Sequence, residues 1–547
     1  MRSLSEVSLM DQFLDRKEIK LFFLLISFSI FLMSLGSISG SESTARSFYS
    51  TDSLFFANVF SELIKGYEEG NVFAGLKDWT WTPAFYLFPD LFLYFLLRLL
   101  AIPINASIEV VHLGFTILQW TFLFFSWNIL FKRCLPEESN ISFLYRISIW
   151  FVLGGLFIFE SRFLPLFLPG FHTGAWCLLP ISWVLFFTPK KNKAHYILEF
   201  LLIFIAVLSD PLFLPSFLIP ILLYELFTNL GKIFKEPKLS ISYIVKWVPV
   251  VLGLFAGIKT YSLLVKNDTV FFPYRYFEKS IFGNLKLIFD PSFWNSFPSF
   301  LGSLTGILWI LAFGCGILFF SLRRFRKDDN RSLNLDLFYI FSGVILPFFL
   351  ILTAYVSENT LPEKIPFRYL GILIPSLFGL FCILIKGRVL KIITFFILIY
   401  GGSYLSSYLI KNKSLKIEYY PEWISCLDDL GRKKHWQRGM GGFWTSAPVR
   451  NFSKIGLVSD YYEPDLSIRP WQNTFRWYQL DTNYSFAILN ELDEEVLSKT
   501  FGPGAHKEEC PGAKIYVFST KNEKEIKNFI LSKKADIDSW KKNTGRE

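Results

Sequence analysis

Several chemistries are closed to this chain by what it does not contain. Neither a glycine-rich phosphate loop nor a dinucleotide fingerprint occurs in its 547 residues, which excludes ATP-driven transport by this chain alone. A nucleophile elbow and a zinc signature are also missing. The six cysteines, Cys134, Cys177, Cys315, Cys382, Cys426 and Cys510, show no metal-ligand spacing. No filter-like or repeated pore motif marks a channel, and there is no internal repeat or low-complexity tract.

What is present is apolar. Hydrophobic residues make up 52% of the chain, more than a single soluble core of this length can hide in such long runs. The expected fold is therefore an α-helical polytopic membrane protein of about 11–13 spans. Candidate spans lie near 20–38, 83–102, 108–131, 147–160, 175–189, 196–209, 212–228, 244–264, 299–321, 336–356, 368–385 and 392–410. The 63 phenylalanines serve lipid contact and packing. The first span is read as an uncleaved helix rather than a signal peptide, because many further spans follow it.

The net charge of +10 is gathered in short loops, where it orients helices rather than binding nucleic acid. Lys190-Lys191-Asn192-Lys193, Lys232/Lys235/Lys238, Arg323-Arg324-Phe325-Arg326-Lys327 and Lys386/Arg388/Lys391 are expected inside. That puts 160–174, the Ser209-Asp210-Pro211 break, 265–298, 357–367 and the tail after 411 outside. The first third breaks the parity. With the N-terminus and Lys132-Arg133 both inside, three candidate spans lie between them, one too many. Either 83–102, interrupted by Pro89, Asp90 and Arg98, does not cross fully, or Lys132-Arg133 is outside.

From 411 to 547 the apolar runs shorten to strand length, at 454–458, 485–489 and 513–518. Helices are expected at 421–431 and 522–534, and Gly439-Met440-Gly441-Gly442 reads as a turn. The chain thus divides into a membrane domain, 1–410, whose first extracytoplasmic loop is 40–82, and a small α/β extracytoplasmic domain, 411–547. Cys426 and Cys510 either pair on export or stay as two buried thiols.

Candidate site residues gather on the outer face. Asp52 follows the first span. A carboxylate there takes a proton from an attacking hydroxyl, or it caps a helix over 54–67. Asp90 opens an apolar run after Pro89, as a helix start, a metal ligand or a partner of Arg98. Arg162 and His172 border an outer loop and suit a diphosphate or a proton transfer, unless Arg162 simply pairs with Glu160. Asp210 faces a cavity at the helix break or caps the helix that follows. Lys364 and Arg368 hold phosphate or snorkel to headgroups, with Arg275 a further cation of the same kind.

Asp52 after span one, the Trp79–Phe88 aromatic stretch with Pro83 leading into span two, and the charged outer loops resemble the integral-membrane GT-C glycosyltransferases. The protein O-mannosyltransferases and the lipid A aminoarabinose transferases belong to that superfamily. The resemblance covers the architecture of roughly the first 410 residues. It implies a bacterial inner-membrane enzyme that moves sugar from a polyprenyl-phosphate carrier to an acceptor. Asp52 would be the base, and Lys364, Arg368 and Arg162 would hold the carrier phosphate. The family's paired acidic residues are not repeated here, since Ser53 and Leu54 follow Asp52, and this leaves a divalent cation without a ligand motif. Two other classes fit the same composition: a flippase for a lipid-linked glycan, and an envelope scaffold acting through its exported tail.

Overall fold

The structure is a computed structural model that describes residues 14, 16–71, 79–82, 84–134, 140–188, 191–233, 241–265, 307, 308, 310, 311, 314, 368, 371–385, 387–412, 415–468, 471–478, 483–502, 506–519 and 522–544. The expected spans at 299–321 and 336–356 fall wholly or almost wholly outside these residues, as do Arg275 and Lys364.

The chain is mostly helical, with a small sheet in its C-terminal region. Its helices are α1 (Lys17–Gly36), α2 (Glu42–Phe48), α3 (Thr51–Glu68), α4 (Phe92–Ala101), α5 (Ile108–Cys134), α6 (Asn140–Phe157), α7 (Thr173–Phe186), α8 (Lys193–Ser209), α9 (Phe213–Ile233) and α10 (Ile241–Val265). After the undescribed stretch come α11 (Leu373–Leu384), α12 (Gly387–Asn412), α13 (Glu422–Lys434), α14 (Phe443–Phe452), α15 (Glu494–Phe501) and α16 (Glu523–Thr544). Among the described residues four runs are long and apolar enough to cross a membrane: Lys17–Gly40, Leu87–Ile104, Ile108–Lys132 and Gly387–Asn412. Shorter apolar helices cover Phe143–Phe157, Thr173–Phe186 and Phe213–Glu225.

Apolar side chains face outward along these helices, among them Phe22 and Leu25 of α1, Phe255 of α10 and Phe396 of α12. Water would not tolerate so continuous an apolar surface, and lipid does. Inside, aromatic rings do the packing. Trp120 of α5 and Trp150 of α6 stack at 4.1 Å, and each indole N–H donates to the other residue's carbonyl, at 3.1 and 3.0 Å. Buried indoles need such a partner.

Two helix pairs run parallel. Phe23 of α1 meets Tyr145 at the start of α6, and Ser34 meets Gly155 near its end, so these two helices run parallel. In the same way α8 and α10 run parallel, with Ile203 against Gly253 and Val207 against Gly257. Leu87–Ile104 stands apart. Its Asp90 end lies beside Gly174, while His112, just beyond its other end, bonds the Ser53 carbonyl at 3.0 Å. Both ends of this run therefore sit at the level of the Asp52 turn.

The tail holds a five-stranded sheet in the order β3 (Val458–Tyr461), β2 (Arg438–Gly441), β5 (Phe486–Ile488), β7 (Ala513–Val517), β6 (His506–Cys510). The first three strands are parallel, and β7 is antiparallel to both its neighbours. The run expected at 454–458 becomes a strand only from Val458. Gly439–Gly441, expected as a turn, is instead part of a central strand. A Cβ on Gly439 would fall 2.3 Å from the Phe486 ring, so glycine is needed for close packing there and not for turning. Cys426 of α13 and Cys510 of β6 form a disulfide. A second, two-stranded sheet joins β1 (Trp79–Thr80) of the first loop to β4 (Asn473–Thr474) of the tail, antiparallel.

Candidate functional site

The site is built where the Asp52 turn, the start of α4's run, the start of α7 and the break after α8 converge. Asp52 lies in the first turn of α3, whose N-cap is Ser50. Asp52 is therefore not the cap, although its charge suits the positive end of an 18-residue helix. Its Oδ1 accepts from Gln472 Nε2 of the tail at 3.1 Å.

Behind the Asp52 backbone lies Gly170, in the left-handed region at φ 80°, 3.9 Å from the Asp52 carbonyl oxygen when measured from where a Cβ would stand. The same point is 3.7 Å from the Tyr86 ring. Gly170 donates its N–H to Asp90. The Asp90 carboxylate, 2% exposed, presses against Gly174, where a Cβ would lie 2.1 Å from Oδ2. Asp90 Oδ1 is buried with no hydrogen-bond partner among the described residues.

Next to it, His172 Nδ1 and Asp210 Oδ2 are 2.8 Å apart, both buried. The other ring nitrogen of His172 faces Tyr86 Oη at 3.4 Å. Asp210 Oδ1 also accepts the Leu212 N–H at 3.0 Å, as a residue at the start of the following helix would. Ser209 fixes the opposite chain: its Oγ accepts from Phe88 N at 2.9 Å and its carbonyl from Tyr86 N at 2.8 Å. Tyr86 and His172 take left-handed backbone conformations, at φ 50° and 69°. Non-glycine residues hold these only where surrounding contacts over-determine them.

Asp90, His172 and Asp210 are thus brought together, with the Asp52 backbone adjoining through Gly170. Arg162 is not part of the group. It pairs with Glu160 at 3.8 Å, with both side chains at least half exposed. Arg98, the partner expected for Asp90, lies instead over the Phe60 ring at 5.3 Å. Arg368 is half-buried. Gly371, three residues on, packs against Leu166 and Trp176, one turn from His172. No group of three or more histidine, cysteine or acidic residues placed to hold a metal ion occurs among the described residues.

A second buried charge cluster sits where the tail meets α3. Asp460, fully buried, binds Arg438 Nε at 2.8 Å, Arg450 Nη2 at 2.6 Å and Tyr484 Oη at 2.9 Å. Burial works against both guanidinium charges. The Asp460 carboxylate outweighs it at Arg438, whose pKa goes up, but not at Arg450, whose pKa goes down. Arg450 stacks 3.6 Å over the Trp477 ring, and the Trp477 N–H donates to Glu62 of α3 at 2.9 Å.

Tyr86, Ser209 and Gln472 escape a reading by residue type. Ser209 adjoined a recognised helix break, and Tyr86 lay within the aromatic stretch before Asp90. Gln472 carried no local signal. No protein-family model matches the chain, and comparison with curated proteins finds no match.

Proposed function

We propose that the chain is a GT-C-like membrane glycosyltransferase that takes a sugar from a polyprenyl-phosphate carrier at the outer face of a bacterial inner membrane. The observation that carries this reading is the position of Asp52. It is a carboxylate at the seam between first loop and tail, with its backbone against Gly170 beside the buried group of Asp90, His172 and Asp210.

Topology supports the reading. With Leu87–Ile104 lying along the outer face as an interfacial helix, the parity conflict of the first third disappears. Lys132-Arg133 and the segments around Lys190 and Lys386 then fall inside, while the Asp52 turn, His172, Asp210 and the tail fall outside. The Cys426–Cys510 disulfide fits an oxidising compartment for the tail.

In this mechanism Asp52 accepts the proton of an acceptor hydroxyl as its oxygen attacks the anomeric carbon. The bond from that carbon to the carrier's phosphate oxygen breaks, and the electron pair leaves with the phosphate. Gln472, donating to Asp52 Oδ1, holds the carboxylate in position. Arg368 and the outer-loop cations Lys364 and Arg275 are the candidates to balance the phosphate charge.

The test is Asp52→Asn in the full chain in lipid, following sugar release from radiolabelled polyprenyl-phosphate donors. Turnover should fall by about 10²–10⁴-fold with donor binding retained. Unchanged turnover removes Asp52 from the mechanism. If the wild type releases no sugar from any donor of a broad panel, the transferase reading fails and glycan transport or scaffolding takes its place.

A further inference from the structure

The far end of α5 carries a groove that the Asp52 site does not use. The helix begins beside that site, where His112 bonds the Ser53 carbonyl. Lys132, near its other end, stands about 30 Å away along the helix. There, between the end of α5 and the start of α6, lies a cavity of about 470 Å³ lined by Phe125, Asn128, Ile129, Lys132, Phe143 and Leu144. The Phe143 ring is a shared wall: it lies 6.0 Å from the Phe125 ring, and the Lys132 ammonium sits 5.6 Å over it. Phe125 and Ile129 are both exposed, so the cavity opens to what surrounds the helices.

The four α5 residues fall on one face, at i, i+3, i+4 and i+7. That spacing sorts them by depth. Counted from Lys132, Ile129 and Asn128 lie about 4.5 and 6 Å further into the apolar run, and Phe125 about 10.5 Å. Lys132 closes the run Ile108–Lys132, at the level where an apolar bilayer core gives way to headgroups. Asn128, 4% exposed, is a polar residue within the span, where lipid tails cannot satisfy it and a polar ligand can. Its Oδ1 is buried with no partner among the described residues, which leaves Nδ2, a donor, as the polar atom it offers the cavity.

A cation at headgroup level, an amide donor about 6 Å deeper and apolar walls beyond it match a glycerophospholipid in order: phosphate, ester carbonyl, acyl chain. The cation selects a lipid of net negative charge, as basic pockets between spans do. Among the described residues no carboxylate neutralises Lys132, and Glu137 and Glu138 of the link to α6 lie outside them.

We propose that this groove binds an anionic glycerophospholipid from the leaflet at the Lys132 end of α5. Its phosphate pairs with Lys132 Nζ, its ester carbonyl accepts from Asn128 Nδ2, and its chain lies along Ile129, Phe125 and Leu144. The site does not depend on the transferase reading.

The experiment is native mass spectrometry of the full chain, stripped of lipid in detergent and titrated with defined lipids. The probes are dioleoyl phosphatidylglycerol, its dioleyl diether analogue and dioleoyl phosphatidylcholine. The first phosphatidylglycerol should bind about fivefold tighter than the first phosphatidylcholine, the effect of one basic side chain at a membrane surface. Lys132→Gln should erase that preference and Lys132→Arg should keep it. Lys17→Gln, which removes an exposed cation at the start of α1, should leave it unchanged. Asn128→Leu should weaken both diester lipids by about fivefold, the scale of one hydrogen bond, without altering the preference. It should not weaken the diether, which has no carbonyl to accept. Equal binding of the two headgroups to wild type overturns the proposal. So does a Lys17→Gln loss as large as that of Lys132→Gln, which would mean attraction to charge at any helix end. An Asn128→Leu loss equal for diester and diether overturns the proposed seating. A lipid-free dimer that Ile129→Asn splits, with no lipid preference in the wild type, gives the groove to a second copy instead.

Discussion

The approach of Asp90 to Gly174 is the tightest constraint in the site, and it turns on a single hydrogen atom. An alanine methyl at 174 would stand 2.1 Å from Asp90 Oδ2 and 2.8 Å from Pro89 Cδ. Asp90 has no room to retreat, being buried and bonded to the Gly170 N–H. Gly174→Ala should therefore lose about 1–3 kcal/mol as an overpacking change. Gly402 of α12 is the control, because its nearest foreign atom is Ile30 Cδ1 at an ordinary 3.9 Å. There, alanine should gain up to about 1 kcal/mol from the helix interior. Thermal midpoints of both variants in one detergent decide the matter. A Gly174→Ala midpoint at or above wild type would mean that Asp90 is not held as described.

At the scale of elements, the join between α13 and β6 rests on two unlike links. The Cys426–Cys510 disulfide closes a sequence separation of 84 residues, a restraint on the unfolded chain of about 4–5 kcal/mol in the loop-entropy account. Beside it, Lys434 binds Glu508, and that hydrogen bond holds the Glu508 carboxyl below its usual range. A carboxyl lowered in the folded state stabilises fully above its unfolded pKa, near 4.3. That contribution disappears as pH falls through the lower folded value. Reduction should thus speed hydrogen exchange of α13 and β6 at pH 7. In the reduced protein, a smaller further increase in opening should accompany acidification below about pH 4, worth less than about 1 kcal/mol because the pair is partly exposed. Lys434→Gln should reduce that acid-dependent part, leaving the share that His506, 3.0 Å from Glu508 Oε1, supplies. If reduction leaves exchange unchanged, the disulfide does not restrain this join.

The same elements show what a sequence yields. Apolar period and length were enough to find β5, β7, α13 and α16, because each buries a face its own residues supply. The strand β2 was hidden, since its glycines are placed by the Phe486 ring and Ser459, distant in sequence, and by Ser446 of the helix that follows. In the site, Asp90, His172 and Asp210 were legible as polar residues where apolar runs break. Their assembly was not, because Gly170 and Gly174 acquire meaning only once α7 lies against the Pro89–Asp90 turn.

Across the whole molecule the decisive relation is the docking of the tail on α3, made by residues up to 420 positions apart. Glu62, 3% exposed, is its hub on α3: it accepts the Trp477 N–H at 2.9 Å and Lys65 at 3.1 Å and lies 4.0 Å from Arg476. Arg476 also reaches Glu69, Asn451 donates to Asn58 at 2.9 Å, and β4 pairs with β1. None of these contacts follows from periodicity, since α3 reads as an ordinary amphipathic helix until the tail covers it. Glu62→Ala strips the partner from the buried Trp477 N–H and removes the nearest countercharge but one from Arg476, a loss on the order of 1–3 kcal/mol. If the Asp52 turn and the tail form one cooperative unit, hydrogen exchange should rise together in α3, in the β1–β4 pair and around Gln472, with α5 and α6 unchanged. Faster exchange confined to the tail would show that the Asp52 turn is held by the helices alone. Gln472 would then be a passing contact of the carboxylate rather than the group that positions it.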